Sequence, residues 1–311
     1  METRGIIINQ YGHADQLVEG KVLLPDLKEH QVLIKTKATS INPIDWKLRE
    51  GFLAQMFEWE FPIILGWDVA GIIEAVGSEV TDWKIGDAVF ARPETTRFGT
   101  YAEDVIVDDH LLAKKPENVG FDEAAAVPLA GLTAYQALFT HGHLKAGETV
   151  LIHAGAGGVG TYAIQLAKNA GAKVITTASA SNINLLKELG ADEVIDYRTT
   201  DFSEELQNVD LVFDTMGGEI QEKSFKVLNQ TGRLISIVSQ PDLSLAQDIL
   251  LAKSIWLNPN GQQLQEIADL MTAGKVRSVI GAKFPLTAAG IREAHLMSES
   301  HHAKGKIVIV K

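Results

Sequence analysis

Residues 150–178 read VLIHAGAGGVGTYAIQLAKNAGAKVITTA. A short apolar run, Val150 to Ala154, predicts a strand, and the stretch Thr161 to Asn169 predicts a helix with Ala163, Ile164, Leu166, Ala167 and the following Ala170 on one face. Gly171-Ala172 turns the chain into a second strand, Val174 to Thr177. Between the first strand and the helix, Gly155, Gly157 and Gly160 satisfy the spacing G-x-G-x-x-G. In this strand–helix–strand context the three glycines serve a tight turn, backbone access to a pyrophosphate, and close packing of helix on strand. The helix N-terminus adds partial positive charge and free N–H donors. The loop Gly155, Ala156, Gly157, Gly158, Val159, Gly160 is therefore read as a dinucleotide-binding site.

The end of the second strand selects the cofactor. An NAD site usually carries an acid about 20 residues beyond the first glycine, to bind the ribose 2′-hydroxyl. That neighbourhood here is Thr177, Ala178 and Ser179, with no carboxylate. Nothing there repels a 2′-phosphate, and Ser179 and Ser181 offer hydroxyls to it, so NADPH is favoured over NADH. No Lys or Arg lies within 176–182; Arg198 is the candidate cation from the next strand end.

Outward from this unit, strands and helices alternate. Helices are expected at Phe121 to His141, Asn182 to Leu189 and Ile220 to Leu228, and strands at Val194 to Asp196, Leu211 to Asp214 and Leu234 to Val238. Such alternation implies right-handed crossovers and a parallel, doubly wound sheet, an α/β fold. Residues 1 to about 120 are β-rich instead, with strands at Val32 to Ala38, Val69 to Val76, Ala88 to Ala91 and Tyr101 to Val107. After about residue 260 come a helix (Gln262 to Ala273), a strand (Val279 to Phe284), a helix (Ala288 to Ser298) and a strand (Lys306 to Val310). This tail either extends the α/β sheet or returns to complete the first domain.

Composition removes several function classes. The 28 Lys and Arg against 40 Asp and Glu give a net charge of −12, which disfavours nucleic acid and anionic membrane as partners. A local nest of backbone N–H groups still accommodates an anionic cofactor. With no cysteine, thiolate nucleophiles, disulfides and Cys-ligated metals are excluded. The three consecutive isoleucines near the start are too few for a secretion signal, and no run approaches the ~18 apolar residues of a membrane span. The expectation is a soluble, cytoplasmic protein. No Gly-x-Ser-x-Gly elbow supports hydrolase chemistry.

Seven stretches together carry a resemblance: TSINPIDWKLREG (39–51), FPIILGWDVAGIIEAVG (61–77), VPLAGLTAYQAL (127–138), HAGAGGVG (153–160), VIDYR (194–198), VFDTMGG (212–218) and HHAKGKIVIVK (301–311). In this order they resemble the medium-chain dehydrogenase/reductase superfamily, specifically its zinc-independent NADPH:quinone oxidoreductase, zeta-crystallin-like branch. The resemblance implies a GroES-like β-rich catalytic domain (1–121), a Rossmann domain (122–260) and a C-terminal segment (261–311) that completes the catalytic domain. It further implies a cleft with nicotinamide at its base, and a homodimer. By motif, Asn42 and Asp45 shape the active site near the nicotinamide, Thr133 sits under the cofactor, and Tyr197 lies beside the adenosine phosphate. Val238 and Ser239 border the nicotinamide, and Lys306 reaches the cofactor. Two departures stand out: Asn182 falls where several relatives carry a lysine for the 2′-phosphate, and Leu53 falls near a tyrosine of some relatives.

Zinc-dependent members of that superfamily ligate catalytic zinc at positions that fall here on Asn42, Trp67 and Leu129, none of them a zinc ligand. No metal is expected. Trp67 is a candidate wall of the substrate cavity, its indole face suited to a quinone, or it packs beneath the cleft. His141, His143, His301 and His302 read as solvated loop residues, His153 as a structural residue, and Met271 and Met297 as core. Asp214 either contacts the cofactor or organises its loop. Phe52, Phe57, Trp59 and Trp256 line a cleft mouth or belong to the core. The expected function is NADPH-dependent hydride transfer to a small-molecule quinone or α,β-unsaturated carbonyl (enone), with the proton from water. The alternatives are a metal-free alcohol or aldehyde reductase and a non-catalytic, crystallin-like NADPH-binding protein.

Overall fold

The computed structural model describes residues 1–246 and 249–311. The chain forms two compact units, one of Met1–Ala130 with Pro259–Lys311, the other of Gly131–Asn258. In chain order the first unit contributes β1 (Glu2–Ile8), β2 (Val18–Leu23), β3 (Gln31–Ile41), β4 (Ile63–Ile64), β5 (Val69–Val76), β6 (Ala88–Ala91), β7 (Asp104–Asp108) and β8 (Leu112–Lys114). The second contributes β9 (Thr149–Ile152), β10 (Lys173–Ala178), β11 (Glu193–Asp196), β12 (Val209–Asp214), β13 (Leu228–Ser236) and β14 (Leu251–Ser254). The chain then returns to the first unit with β15 (Ile280–Pro285) and β16 (Lys306–Val310).

The second unit is one parallel sheet in the order β11-β10-β9-β12-β13-β14. Its central strands are buried on both faces, as the unbroken apolar runs Val150-Leu151-Ile152 and Leu211-Val212-Phe213 require. Strand order reverses between β9 and β12, so the glycine loop leaves β9 at the topological switch point, where such sheets bind ligands.

The first unit is β-rich and mostly antiparallel. Its seven-stranded sheet runs β15-β16-β3-β5-β6-β8, with β7 also on β3; β2-β1-β4 form a second sheet. The alternation of buried Val32 and Ile34 with half-buried neighbours on β3 is the two-residue period of a strand with one face in the core. β16 pairs antiparallel with β3, matching Ile307 to Ile41 and Val310 to Ala38. The C-terminal tail therefore closes the first unit's sheet and does not extend the parallel one. Among the described residues no helix is long and apolar enough to cross a membrane.

Three element expectations are corrected. The single helix expected over Phe121 to His141 is two, Phe121–Ala125 and Pro128–Tyr135, followed by wide π-type turns over Gln136–His141. Pro128 lacks the N–H needed to continue the first helix and is suited to begin the second. The strand expected from Tyr101 starts only at Asp104, because Tyr101 and Ala102 face β1: Ile6 N donates to Tyr101 O at 2.8 Å. Val238 lies beyond the end of β13, not within it.

Candidate functional site

The glycine loop is built by what its glycines exclude. A Cβ on Gly155 would stand 2.1 Å from Thr176 Oγ1, and one on Gly160 would stand 2.5 Å from Ala154 O and 2.7 Å from Gly155 Cα. Both positions are closed by the unit's own atoms. A Cβ on Gly157 would meet only Ala154 O, at 3.3 Å, and its φ of −77° is ordinary. Gly157 is thus bare toward the outside of the loop, at the N-cap of the twelve-residue helix Gly158–Asn169. Backbone donors of this turn, with the helix dipole behind them, form a cradle that fits a pyrophosphate.

At the neighbouring strand ends, Ala178 pairs with Asp196, and Tyr197 N donates to Ala178 O at 3.3 Å. The Ser179 and Ser181 hydroxyls are 3.1 Å apart, and Asn182 Nδ2 donates to Ser179 Oγ at 3.1 Å. Tyr197 is 57% exposed, with the Arg198 guanidinium 5.8 Å from its ring centroid. The sequence-selected residues Ala178, Ser179, Ser181 and Tyr197 therefore come together with Arg198 at one edge. Ala178 itself is buried and offers only backbone.

Asp214 resolves as the loop organiser. Its Oδ1 accepts from Met216 N and Gly217 N at 2.9 Å each, and its Oδ2 from Gln221 Nε2 at 2.9 Å and Ser236 Oγ at 2.7 Å. Ser236 Oγ in turn accepts from Val238 N at 3.1 Å and Ser239 N at 3.4 Å, so this buried carboxylate fixes the segment bearing Val238 and Ser239. His153 is structural: its ring nitrogens lie 3.3 Å from Thr177 Oγ1 and 2.9 Å from Ser224 Oγ, and burial pulls its pKa well down. Thr133 is buried on the helix Pro128–Tyr135.

The first unit gathers a buried polar network around Asn42. Asp68 accepts four bonds: from Leu129 N at 2.7 Å on Oδ1, and on Oδ2 from Ser40 Oγ at 2.5 Å, Asn42 Nδ2 at 2.7 Å and Lys306 Nζ at 3.4 Å. Lys306 Nζ also donates to Ile41 O at 3.0 Å and to Asn42 Oδ1. Both polar atoms of the Asn42 amide are thereby held. Asp45 reaches back from the first turn of Pro43–Arg49 to accept from Asn42 N at 2.8 Å, as an acid at the third helical position does. It also accepts from Tyr101 Oη at 2.6 Å. Tyr101 Oη lies 3.2 Å from His295 Nε2, and His295 Nδ1 lies 3.1 Å from Arg49 Nη1, which donates to Glu299 at 2.9 Å.

Burial dominates the electrostatics here. It raises the Asp45 pKa to about 7, against the opposing Tyr101 and Asn42 hydrogen bonds. Burial drives Tyr101 well above its ordinary value, with Asp45 adding to the shift, and burial with the adjacent Arg49 lowers His295 to about 3. Lys306 is lowered by burial while Asp68 and Asp45 oppose. Asp45 Oδ1 has no hydrogen-bond partner.

Four expectations change. Trp67 takes the packing alternative: it is fully buried, its indole N–H donates to Thr96 O at 3.2 Å, and its ring lies 6.0 Å from Trp59. It offers no free face to a quinone. Lys306 does not reach outward; its ammonium is enclosed by Ile41, Asn42 and Asp68. Met297 is half-exposed, because the helix Ala288–Glu299 turns Ile291, Ala294 and His295 inward instead. His141 is no solvated loop residue but ends the π-type turns, 3.0 Å from Lys253 Nζ. Phe52 and Trp256 are exposed, whereas Phe57 and Trp59 pack on the core. Asp68, Tyr101, His295 and Arg49 join the network without being selected as site residues by sequence.

Zinc has no donor set at the three aligned positions. Asn42 is enclosed by Asp68 and Lys306, Trp67 is a core indole, and Leu129 contributes a backbone N–H to Asp68. Among the described residues no three His, Cys, Asp or Glu side chains are grouped to hold a metal.

A switch-point glycine cradle on a doubly wound sheet, in one chain with a GroES-like β unit, defines a two-domain nucleotide-dependent oxidoreductase architecture. Residues 28–117 match the alcohol dehydrogenase GroES-like domain, and residues 189–309 match the zinc-binding dehydrogenase family. The chain is 35% identical to the chloroplastic NADPH-dependent alkenal/one oxidoreductase of Arabidopsis thaliana, over 99% of this chain and 79% of that protein. The quinone oxidoreductase of Coxiella burnetii superposes with a TM-score of 0.92 at 36% identity, over 100% of both chains. The Escherichia coli quinone oxidoreductase complexed with NADPH superposes with a TM-score of 0.86 at 29% identity, over 99% of this chain and 100% of that one. The chain belongs to the medium-chain dehydrogenase/reductase superfamily, with quinone oxidoreductases and alkenal reductases as its homologues.

Proposed function

We propose that the protein is an NADPH-dependent oxidoreductase that reduces a quinone or an α,β-unsaturated carbonyl without zinc. The observation that carries the acceptor class is the occupancy of the aligned zinc positions: an enclosed amide, a core indole and a leucine. Such a site has no Lewis acid to polarise an alcohol, and it suits acceptors that stabilise incoming charge by conjugation. The names of the homologous enzymes agree with that reading.

When bound, NADPH supplies the hydride. Gly155 to Gly160 would hold its pyrophosphate through backbone N–H groups, and Ser179, Ser181 and Arg198 would meet the 2′-phosphate. The Asp214–Ser236 pair holds the Val238–Ser239 backbone in one conformation. In the first unit, Asp68 and Lys306 fix Asn42, and Tyr101 fixes Asp45, so rigid groups are presented to the acceptor and rate follows from positioning. Chelator-treated protein is expected to oxidise NADPH with a panel of quinones and enones, and to leave ethanol and propanol unoxidised. NADPH binding without turnover of any acceptor would leave the non-catalytic reading in its place.

The reading includes a homodimer. Edge strand β14 is flanked by exposed Leu250 and Trp256, with exposed Leu243 and Leu245 shortly before it, an apolar edge of the kind that pairs with a second copy. Light scattering at micromolar concentration tests it: a monomer mass removes the dimer from the proposal.

A further inference from the structure

The first unit carries a cavity of its own. It has a volume of about 470 Å³, within the ~300–1,000 Å³ of small-molecule sites, and every residue lining it belongs to that unit. Its apolar lining comes from Leu24 after β2, Trp59 before β4, Pro93 and Phe98 between β6 and β7, and Ile106 on β7. Trp59 and Phe98 are only half-buried, so flat ring surface is left uncovered. The Trp59 indole is held between Phe57 and Trp67, with ring centroids 4.9 and 6.0 Å away. No lining residue belongs to the Asn42 network, and the length of β3, roughly 30 Å, separates the lining residue Gln31 from Asn42.

Arg97 gives the cavity its chemistry. Its guanidinium lies 4.7 Å from the Phe98 ring centroid, and its Nη1 donates to Glu60 O at 3.0 Å. Its backbone is fixed as well, because Arg97 O accepts from Ile64 N at 2.9 Å. The group is thus oriented without a ligand. Its Nε and Nη2 donate to no protein atom among the described residues and are not enclosed. That free edge is a planar pair of N–H donors, the fork that matches a carboxylate. Trp59 Nε1 is likewise accessible and without a protein acceptor among the described residues. Lys28 adds a positive charge to the lining. Glu94 and Asp108 line it too, Asp108 Oδ1 already accepting from Gln31 Nε2 at 2.9 Å, so two carboxylates oppose a second negative charge on a ligand.

We propose that this cavity binds a flat aromatic monocarboxylate, its ring on Trp59 and Phe98 and its carboxylate on the free edge of Arg97. The site does not depend on the identity of the hydride acceptor.

The probe is 2-naphthoate, titrated into the full chain. It is expected to shift the indole N–H resonance of Trp59, identified with Trp59→Phe, and to leave that of Trp256 in the second unit unmoved. By calorimetry, Arg97→Met should weaken naphthoate binding roughly tenfold, the size of a lost hydrogen bond to a charged group. The neutral 2-naphthalenemethanol should bind wild type more weakly than naphthoate does, and should not distinguish wild type from Arg97→Met. Naphthalene-2,6-dicarboxylate should also bind more weakly than the monoacid. Ile106→Trp, which fills the cavity from β7, should abolish naphthoate binding with Tm and NADPH affinity unchanged. A titration that leaves the Trp59 resonance in place overturns the proposal. So does equal naphthoate affinity in wild type, Arg97→Met and Ile106→Trp, which places the probe elsewhere on the chain. If Arg97→Met does not fold, the alcohol comparison and Ile106→Trp decide the matter.

Discussion

The glycine loop of the second unit and the Asn42 network of the first unit present polar groups by opposite means. The loop uses backbone: Gly155 and Gly160 are closed by neighbouring atoms, Gly157 is left bare, and no charged side chain is needed. The network uses side chains drawn from distant parts of the chain, with Lys306 brought to Asn42 and Asp68, and His295 to Tyr101. A backbone site tolerates loss of side chains but not their addition. A buried side-chain site is sensitive to removal of any partner, because each group's desolvation is offset by the others. The difference predicts which variants lose stability and which lose only binding.

The largest effect should come from breaking the network. Lys306→Met leaves Asp68 and Asn42 without their cation and is expected to cost about 3–5 kcal/mol. Four of the five tryptophans, Trp46, Trp59, Trp67 and Trp83, lie in the first unit, so fluorescence during urea unfolding reads it directly. A loss under about 1 kcal/mol would mean the lysine is not paired as described.

Gly157→Ala is the contrasting variant. With a single backbone contact at 3.3 Å, far looser than those at Gly160, and an ordinary φ it should fold with Tm little changed, while the added methyl group stands in the cradle proposed for the pyrophosphate. NADPH affinity should fall about 100-fold, about 2.7 kcal/mol, by calorimetry. Gly160→Ala should lose stability as well, since its Cβ meets backbone. Equal behaviour of the two variants would erase the distinction between closed and open glycines.

Acid–base behaviour sharpens the comparison at the next scale. Folding raises Asp45 to about 7, above its unfolded value near 3.8. Between those values the folded chain binds the extra proton, so the cost of charging Asp45 is absent below about pH 4 and grows as pH rises to about 7. Asn at this position has no such dependence. The stability of Asp45→Asn relative to wild type should therefore improve by about 2–3 kcal/mol between pH 5 and pH 8. The histidines run the other way: His295 is lowered to about 3 and His153 is also lowered, so stability falls as pH drops below 6.5. The second unit holds His153 without an offsetting raised acid among the shifted groups. Its amides should lose hydrogen-exchange protection before those of the first unit as pH falls from 6.5 to 5.

The smallest effect concerns cofactor choice. Arg198→Ala should reduce the preference for NADPH over NADH about tenfold, about 1.4 kcal/mol, through NADPH Kd alone. An unchanged ratio would assign the 2′-phosphate to the serines or to backbone.

What could be read from sequence follows the same division. The glycine loop is legible because its rule is local: three glycines, one strand and one helix close together in the chain, with Gly155 and Gly160 demanded by the atoms packed against them and Gly157 left to the proposed ligand. β5, β6 and β16 begin and end where apolar patterning places them. The network is not legible in that way, because Asp68 and Lys306 are 238 positions apart and Arg49 and His295 are 246 apart, with no periodicity linking them. Resemblance marks Asn42, Asp45 and Lys306, but not that Lys306 faces inward or that Tyr101 closes on Asp45. Trp67 is ambiguous in sequence for a related reason: an aromatic beside an acid serves a cavity or a core equally well until its neighbours are known.

The central claim, metal-free hydride transfer from NADPH to a conjugated carbonyl, is tested most directly by isotope. Chelator-treated protein is given NADPH deuterated at the transferable C4 position and an enone, and the product is examined by mass spectrometry and NMR. One deuterium on the β-carbon, at one NADPH consumed per enone, is the predicted result. Product without deuterium, or turnover that appears only when zinc is restored, would contradict the account.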